Sequence, residues 1–186
     1  EHKMGWKGSD TRSVYFEDMY IPKENVLGNP SKGFKQFLRT LTGGRITIGA
    51  LALGTAQGAY ERALKYSCER EAFGKQINKF QAISFKLADM ATSIEASKHL
   101  VYNAAYLKDE GEDIIKEAAM AKLFSSEMCM RVTTEAIQVL GGYGYIKEYD
   151  VERFFRDSKI LEIGEGTSEV QRIIISREIL KNISSV

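Results

Sequence analysis

Glu165 stands between two glycines in Ile163-Gly164-Glu165-Gly166-Thr167, directly ahead of a periodic apolar run. Glycines let a ligand approach the backbone closely, so a carboxylate placed there can act on one. It can equally be a solvated side chain favoured by the positive end of a helix dipole. Arg45 lies four residues after Leu41 among small residues, and a guanidinium buried there needs a partner. Arg70 occupies a turn, where it can either hold a phosphate in bidentate fashion or simply be solvated. Gln138 precedes Gly141-Gly142-Tyr143-Gly144-Tyr145. A helix C-cap accounts for one of these glycines. It does not explain three glycines flanked by Tyr143 and Tyr145, where exposed backbone N–H groups can bind phosphate oxygens.

Other chemistries find little support. The histidines are His2 and His99, and Glu95 precedes His99 by four residues rather than the three of a di-metal Glu-x-x-His pair. We therefore expect no metal, and read His99 as a partly exposed helix residue. Cys68 and Cys129 have no base nearby in sequence and read as core residues, neither nucleophiles nor a disulfide framework. A reducing compartment suits them. Lys and Arg total 26 against 25 Asp and Glu, a net charge of +1, which argues against nucleic-acid binding driven by net charge. No apolar run is long enough to span a membrane, and no signal-peptide core is present.

The elements that must carry these residues fall into two parts. Residues 1–33 hold both prolines, Pro22 and Pro30, and Thr11 to Pro22 has the β-branched and aromatic content of one or two strands. Two strands are not stable alone. From Phe34 the chain has no proline, and helical periodicity predicts helices over about 35–69, 80–108, 113–140, 151–157 and 168–181. Gly43, Gly44, Gly49 and Gly54 in the first of these predict close approach by another helix or by a ligand. Met120, Phe124, Met128, Val132, Ala136 and Leu140 predict a single buried stripe on the third. Ser168 and Gln171 form a capping-box pattern at the last, with Val170, Ile173, Ile174 and Leu180 as its apolar face. The expected fold is mainly α, an up-and-down four-helix bundle (34–186) preceded by a short β segment (1–33).

Taken together, several stretches resemble the acyl-CoA dehydrogenase family of flavoenzymes. They are Met4-Gly5-Trp6-Lys7-Gly8-Ser9, Gly43-Gly44-Arg45, Arg70-Glu71-Ala72-Phe73-Gly74, Phe80-Gln81-Ala82-Ile83, Gln138-Val139-Leu140-Gly141-Gly142-Tyr143-Gly144, Arg156-Asp157 and Glu165-Gly166-Thr167. The resemblance spans the whole chain. It implies the end of a middle β-barrel domain (1–33) followed by the C-terminal helical bundle (34–186). With the abrupt start at Glu1 it leads us to expect an excised piece, inactive alone. It implies FAD as cofactor, an acyl-CoA substrate, electron-transferring flavoprotein as electron acceptor, a homotetramer assembled through the bundle and a place in fatty acid β-oxidation. The compartment would be the bacterial cytoplasm, or the mitochondrial matrix in a eukaryote.

Position by position, the resemblance makes Glu165 the base that removes the α-proton of the thioester, while a β-hydrogen leaves as hydride to the flavin. A carboxylate suits that task when bound substrate excludes water from it, whereas the helix N-terminus favours its ionised form. Arg70, Phe73 and Gln81 match FAD contacts, some of which reach a neighbouring subunit's flavin. Gln138, Gly141 and Gly142 match positions near its adenosine diphosphate. Thr167 and Glu169 also match cofactor contacts, although glutamine is common at the latter position. Arg45 and Gly166 match the substrate site. Thr42 departs from an aspartate that contacts the CoA arm, and Gly164 from a tyrosine of fatty-acyl members. Gly44 occupies the place where isovaleryl and long-chain types carry their base. Two alternatives remain open: an acyl-CoA oxidase, and a non-catalytic helical oligomerisation module.

Overall fold

The computed structural model describes residues 1–181. Three long helices dominate it: α1 (Gly33–Glu69), α2 (Gln81–Asp109) and α3 (Ile115–Leu140). A small antiparallel hairpin, β1 (Glu71–Ala72) and β2 (Lys75–Gln76), joins the first two, with Glu71 opposite Gln76. A short helix α4 (Val151–Ser158) and a last helix α5 (Ser168–Lys181) complete the bundle. The long helices begin and end within two residues of the sequence expectation, because the proline-free stretch leaves helical periodicity uninterrupted.

Small residues set the spacing of the core. Ala52, Ala56, Ala59 and Ala63 follow one face of α1 and are wholly buried, against Met128, Val132 and Ala136 of α3. Gly49 lets α1 close on both neighbours: a Cβ there would stand 3.2 Å from Val101 of α2 and 3.5 Å from the Ala121 backbone of α3. Gly54, expected to serve likewise, faces open space. A second cluster of Ile46, Val101, Ala104, Ile114, Ala118 and Ala121 fills the other end of the bundle.

α3 differs from the single-stripe expectation. Its buried residues include Ala118, Ala119, Ala121, Lys122, Ser125, Ser126, Met128, Cys129, Val132 and Thr133, so it is enclosed on most sides. Ser125 and Ser97 satisfy one another across α2 and α3 at 2.7 Å. α5 also departs from expectation. Val170 and Ile173 are 39% and 55% exposed, while Ser168 and Gln171 face inward.

The β segment expected over residues 11–22 does not form a ladder; among described residues the only strands are β1 and β2. Extended chain needs a neighbouring strand to become sheet, and the described residues offer none there. The N-terminal segment instead holds to α4 near residue 5. The Trp6 amide donates to Asp157 Oδ1 at 2.7 Å, and Arg156 Nη1 donates to the Met4 carbonyl at 3.1 Å. Arg156 also makes a bidentate pair with Glu152, at 2.5 and 2.9 Å. No helix of the described residues is long and apolar enough to cross a membrane, and they contain no cluster of three metal-ligating side chains.

Candidate functional site

The turn between α4 and α5 carries Glu165 in a left-handed backbone conformation, φ 57°, followed by Gly166 at φ 94°. A residue with a Cβ adopts such angles only where its surroundings enforce them. Here the two carbonyls of the turn are held from below. Gln171 Nε2 donates to the Glu165 carbonyl at 3.2 Å and to the Gly166 carbonyl at 2.9 Å. Lys122 Nζ, from α3, donates to the same Gly166 oxygen at 2.8 Å. The side chain of Glu165, by contrast, is unanchored: its Oε2 is buried without a hydrogen-bond partner.

That carboxylate lies against the backbone of α1. A Cβ at Gly44 would stand 2.8 Å from Glu165 Oε2, so a side chain at position 44 and the Glu165 carboxylate compete for one place. Arg45 is 7% exposed, with Nε unpartnered and Nη1 3.5 Å from Thr42 Oγ1. Burial pulls its pKa down, and the nearby Glu165 charge opposes that fall. A buried cation near a half-buried carboxylate, each with an unpartnered buried atom, leaves hydrogen-bonding capacity that a ligand can take up.

The cap of α5 is not the expected Ser168 box. Thr167 Oγ1 accepts weakly from the Val170 amide at 3.4 Å, and Ser168 Oγ is buried without a partner. Gln171 turns back to the turn carbonyls instead of to a capping amide. Glu169 is exposed; its own amide and then the Thr167 hydroxyl hold its carboxyl below the usual range. Lys122 was not anticipated. It is wholly buried, and its sequence signal is the small-residue surround of Ala118, Ala119, Ala121, Ser125 and Ser126, which marks a helix enclosed on most sides.

A second group gathers at the other end of α1. Arg70, Tyr66, Gly141, Gly142 and Tyr143 line one cavity of about 490 Å³. The Arg70 guanidinium sits 5.7 Å from the centre of the Tyr143 ring. Gly141, at φ 61° and ψ −133°, holds a conformation that suits glycine alone. Gly144 is required by packing, since a Cβ would meet the Ile137 carbonyl at 2.4 Å. Gly142 has nothing within 4 Å and no positive φ, so it is the glycine of this run that neither packing nor backbone conformation explains. Phe73, at φ 50° on the hairpin tip, is 96% exposed and rests edge-on against Phe80. Gln81 opens α2 and Gln138 lies in the last turn of α3, both exposed.

The residues read from the sequence therefore form two sets. Glu165, Gly166, Thr167, Glu169 and Arg45 meet around the α4–α5 turn. Arg70, Gly141 and Gly142 share the other cavity, with Phe73 on the hairpin next to Arg70. Along α1 the rise from Arg45 to Arg70 is roughly 38 Å. One chain does not bring the two sets together.

Among the remaining polar candidates, His99 is a helix residue as expected, exposed rather than partly so, with Nε2 3.4 Å from Glu95. Cys129 is buried, but Cys68 is exposed and accepts from Asn78, so only one cysteine is a core residue.

Residues 31–180 match the family model described as acyl-CoA dehydrogenase, C-terminal domain. A probable acyl-CoA dehydrogenase of Bacillus subtilis is 56% identical over 179 residues, covering 96% of this chain and 47% of the relative. A subunit of the caffeyl-CoA reductase–Etf complex of Acetobacterium woodii is 51% identical, over 97% of this chain and 48% of the relative. The solved butyryl-CoA dehydrogenase of Megasphaera elsdenii superposes with a TM-score of 0.95 at 51% identity, over 97% of this chain and 47% of that one. The chain spans about half the length of the relatives it matches.

Proposed function

This chain belongs to the acyl-CoA dehydrogenase family, and on that premise we propose that it forms the C-terminal part of an FAD-dependent enzyme acting on the α,β-bond of an acyl-CoA thioester. Residues 1–33 would close a barrel domain, and 34–186 would form the bundle. The single observation that carries the reading is the Glu165 turn: a carboxylate with a buried, unpartnered oxygen, on a backbone locked at both carbonyls.

Glu165 takes the proton from the carbon next to the thioester carbonyl. Its place against Gly44, with no carboxylate at that position, leaves one candidate base at this spot. Arg45 keeps a cation near it, which offsets the charge of the ionised base. Gly166 is assigned to the substrate site as the residue that follows the base; its φ of 94° and the nearness of Gln171 and Val170 keep it a glycine.

The cavity under Arg70 and Tyr143 suits a dinucleotide. A guanidinium on its wall fits a diphosphate, and the open backbone at Gly142 admits close approach. Arg70, Phe73, Gln81, Gln138, Gly141, Gly142, Thr167 and Glu169 are the residues we assign to holding FAD, which when bound supplies the acceptor for the hydride. Because the two sets of residues lie roughly 38 Å apart along α1, we assign them to different sites completed by neighbouring copies, in keeping with a homotetramer. Electron-transferring flavoprotein is the proposed electron partner, and the A. woodii relative is named as part of an Etf complex. The compartment proposed is the cytoplasm of a bacterium or the mitochondrial matrix.

That same relative favours a second reading. It is named a reductase, so at 51% identity the net direction can run from enoyl to saturated thioester with the same residues. Glu165→Gln in the full-length protein tests the shared step. It should keep FAD absorbance while turnover in both directions falls by about a thousandfold, the middle of the range of general-base contributions. Retained turnover would remove Glu165 as the base.

A further inference from the structure

Lys122 lies in the middle of α3 with no exposed surface, on a helix side otherwise built from alanine and serine. Such a lysine is costly to bury, and a methionine would fill the same space without a charge to desolvate. Its ammonium does one visible thing: it donates to the Gly166 carbonyl at 2.8 Å. Burial draws its pKa down, opposed first by Glu162. The oxygen it holds is the carbonyl of the residue immediately after Glu165, and Gln171 reaches the same oxygen from α5. Two buried donors, one from α3 and one from α5, thus converge on the carbonyl that fixes the left-handed turn.

We infer that Lys122 is a positioning residue: its ammonium pins the Gly166 carbonyl and so aims the Glu165 carboxylate, without touching substrate itself. This rests on the reading of Glu165 as the base. A hydrogen bond from a charged donor is roughly twice as strong as a neutral one, which explains an ammonium here rather than a second amide. Gln171 alone holds the turn against rotation on one side, while Lys122 ties it to the central helix. A turn tied to α3 keeps its distance from Gly44 and Arg45 on α1, because those two helices share the core.

The test compares Lys122→Met, Lys122→Gln and Lys122→Arg with the parent in the full-length protein. Hydrogen exchange is followed by mass spectrometry, alongside kcat and KM with butyryl-CoA. In Lys122→Met, exchange over residues 164–168 should quicken by at least about tenfold while the α1–α3 core keeps its protection. kcat should fall on the order of tenfold or more, with KM within about threefold, since aim and not binding is lost. Lys122→Arg should restore most of both. If Lys122→Met does not fold, Lys122→Gln is judged by the same exchange criterion.

Unchanged exchange at the turn overturns the inference. So does protection lost evenly across the bundle, which would make Lys122 a general structural residue. Glu165→Gln, measured in parallel, separates the two readings. If that variant keeps turnover the base assignment fails, while the exchange data still decide whether Lys122 pins the turn.

Discussion

Three glycines on α1 can be replaced by alanine to opposite effect. Each substitution removes the backbone cost of a helical glycine, a gain of about 1 kcal/mol. At Gly54 nothing lies within 4 Å of the new methyl, so the gain stands. At Gly49 the methyl meets Val101 at 3.2 Å and the Ala121 backbone at 3.5 Å, atoms in the packed core. Overpacking of that kind costs about 1–3 kcal/mol, so the net effect is destabilising by about 1 kcal/mol. At Gly44 the methyl meets Glu165 Oε2 at 2.8 Å and its carboxyl carbon at 3.0 Å. Those atoms end a flexible side chain, which can rotate away, so most of the helix gain survives. The carboxylate must nevertheless retreat by about half an ångström. A misplacement of 1 Å can cost about a hundredfold in rate, and half that distance about tenfold.

Thermal melting of the chain and kcat of the full-length protein together read this out. Gly54→Ala and Gly44→Ala should raise Tm by about 2–4 °C and Gly49→Ala should lower it by a similar amount. Only Gly44→Ala should pair a raised Tm with a roughly tenfold loss in kcat. A Gly44→Ala protein that melts like Gly49→Ala, or that turns over at the parent rate, would refute the placement of the carboxylate against α1.

Two further outcomes concern the bundle itself. The Cys129 thiol is pushed up to about 12, chiefly by burial, whereas Cys68 is exposed. An aromatic disulfide reagent should titrate one thiol per folded chain and the second only in denaturant; two fast thiols would contradict the packing of α3. Arg156 holds the Glu152 carboxyl below its ordinary value of 4.5, first by their hydrogen bonds. A carboxyl with a lowered native pKa adds stability that is fully present above 4.5 and is lost as pH falls through the native value. Glu152→Gln should therefore cost about 1 kcal/mol at neutral pH and progressively less toward pH 3. A cost that does not change with pH would remove the ion pair as its source.

Much of this arrangement was readable from the residues alone, and the misses have physical causes. The three long helices follow from periodicity and from the absence of proline after Pro30. The strands expected near Thr11 to Pro22 reflect real β propensity, but propensity cannot supply the neighbour a strand needs. On α5 the sequence predicts an apolar face that includes Val170 and Ile173, yet the helix turns Ser168 and Gln171 inward, because the Glu165 turn needs polar groups beneath it. Lys122 escaped notice because a lysine in a helix reads as a surface residue whose charge reaches water. Its small neighbours on both sides were the available sign that water is not there. Gly44, by contrast, was legible only through the family resemblance, since nothing local links it to a carboxylate 121 residues on.

The locked turn has a consequence for how such a protein can change its diet. Gly164 lies just upstream of the two pinned carbonyls, and its own amide is tied back to Ile160 at 2.8 Å. A Cβ at 164 would meet nothing nearer than that carbonyl, at 3.4 Å, an ordinary contact. A larger residue can therefore be installed next to Glu165 without disturbing the backbone that holds it. On the proposed assignment of Glu165 as the base, position 164 can be exchanged while the backbone that aims the carboxylate is inherited intact.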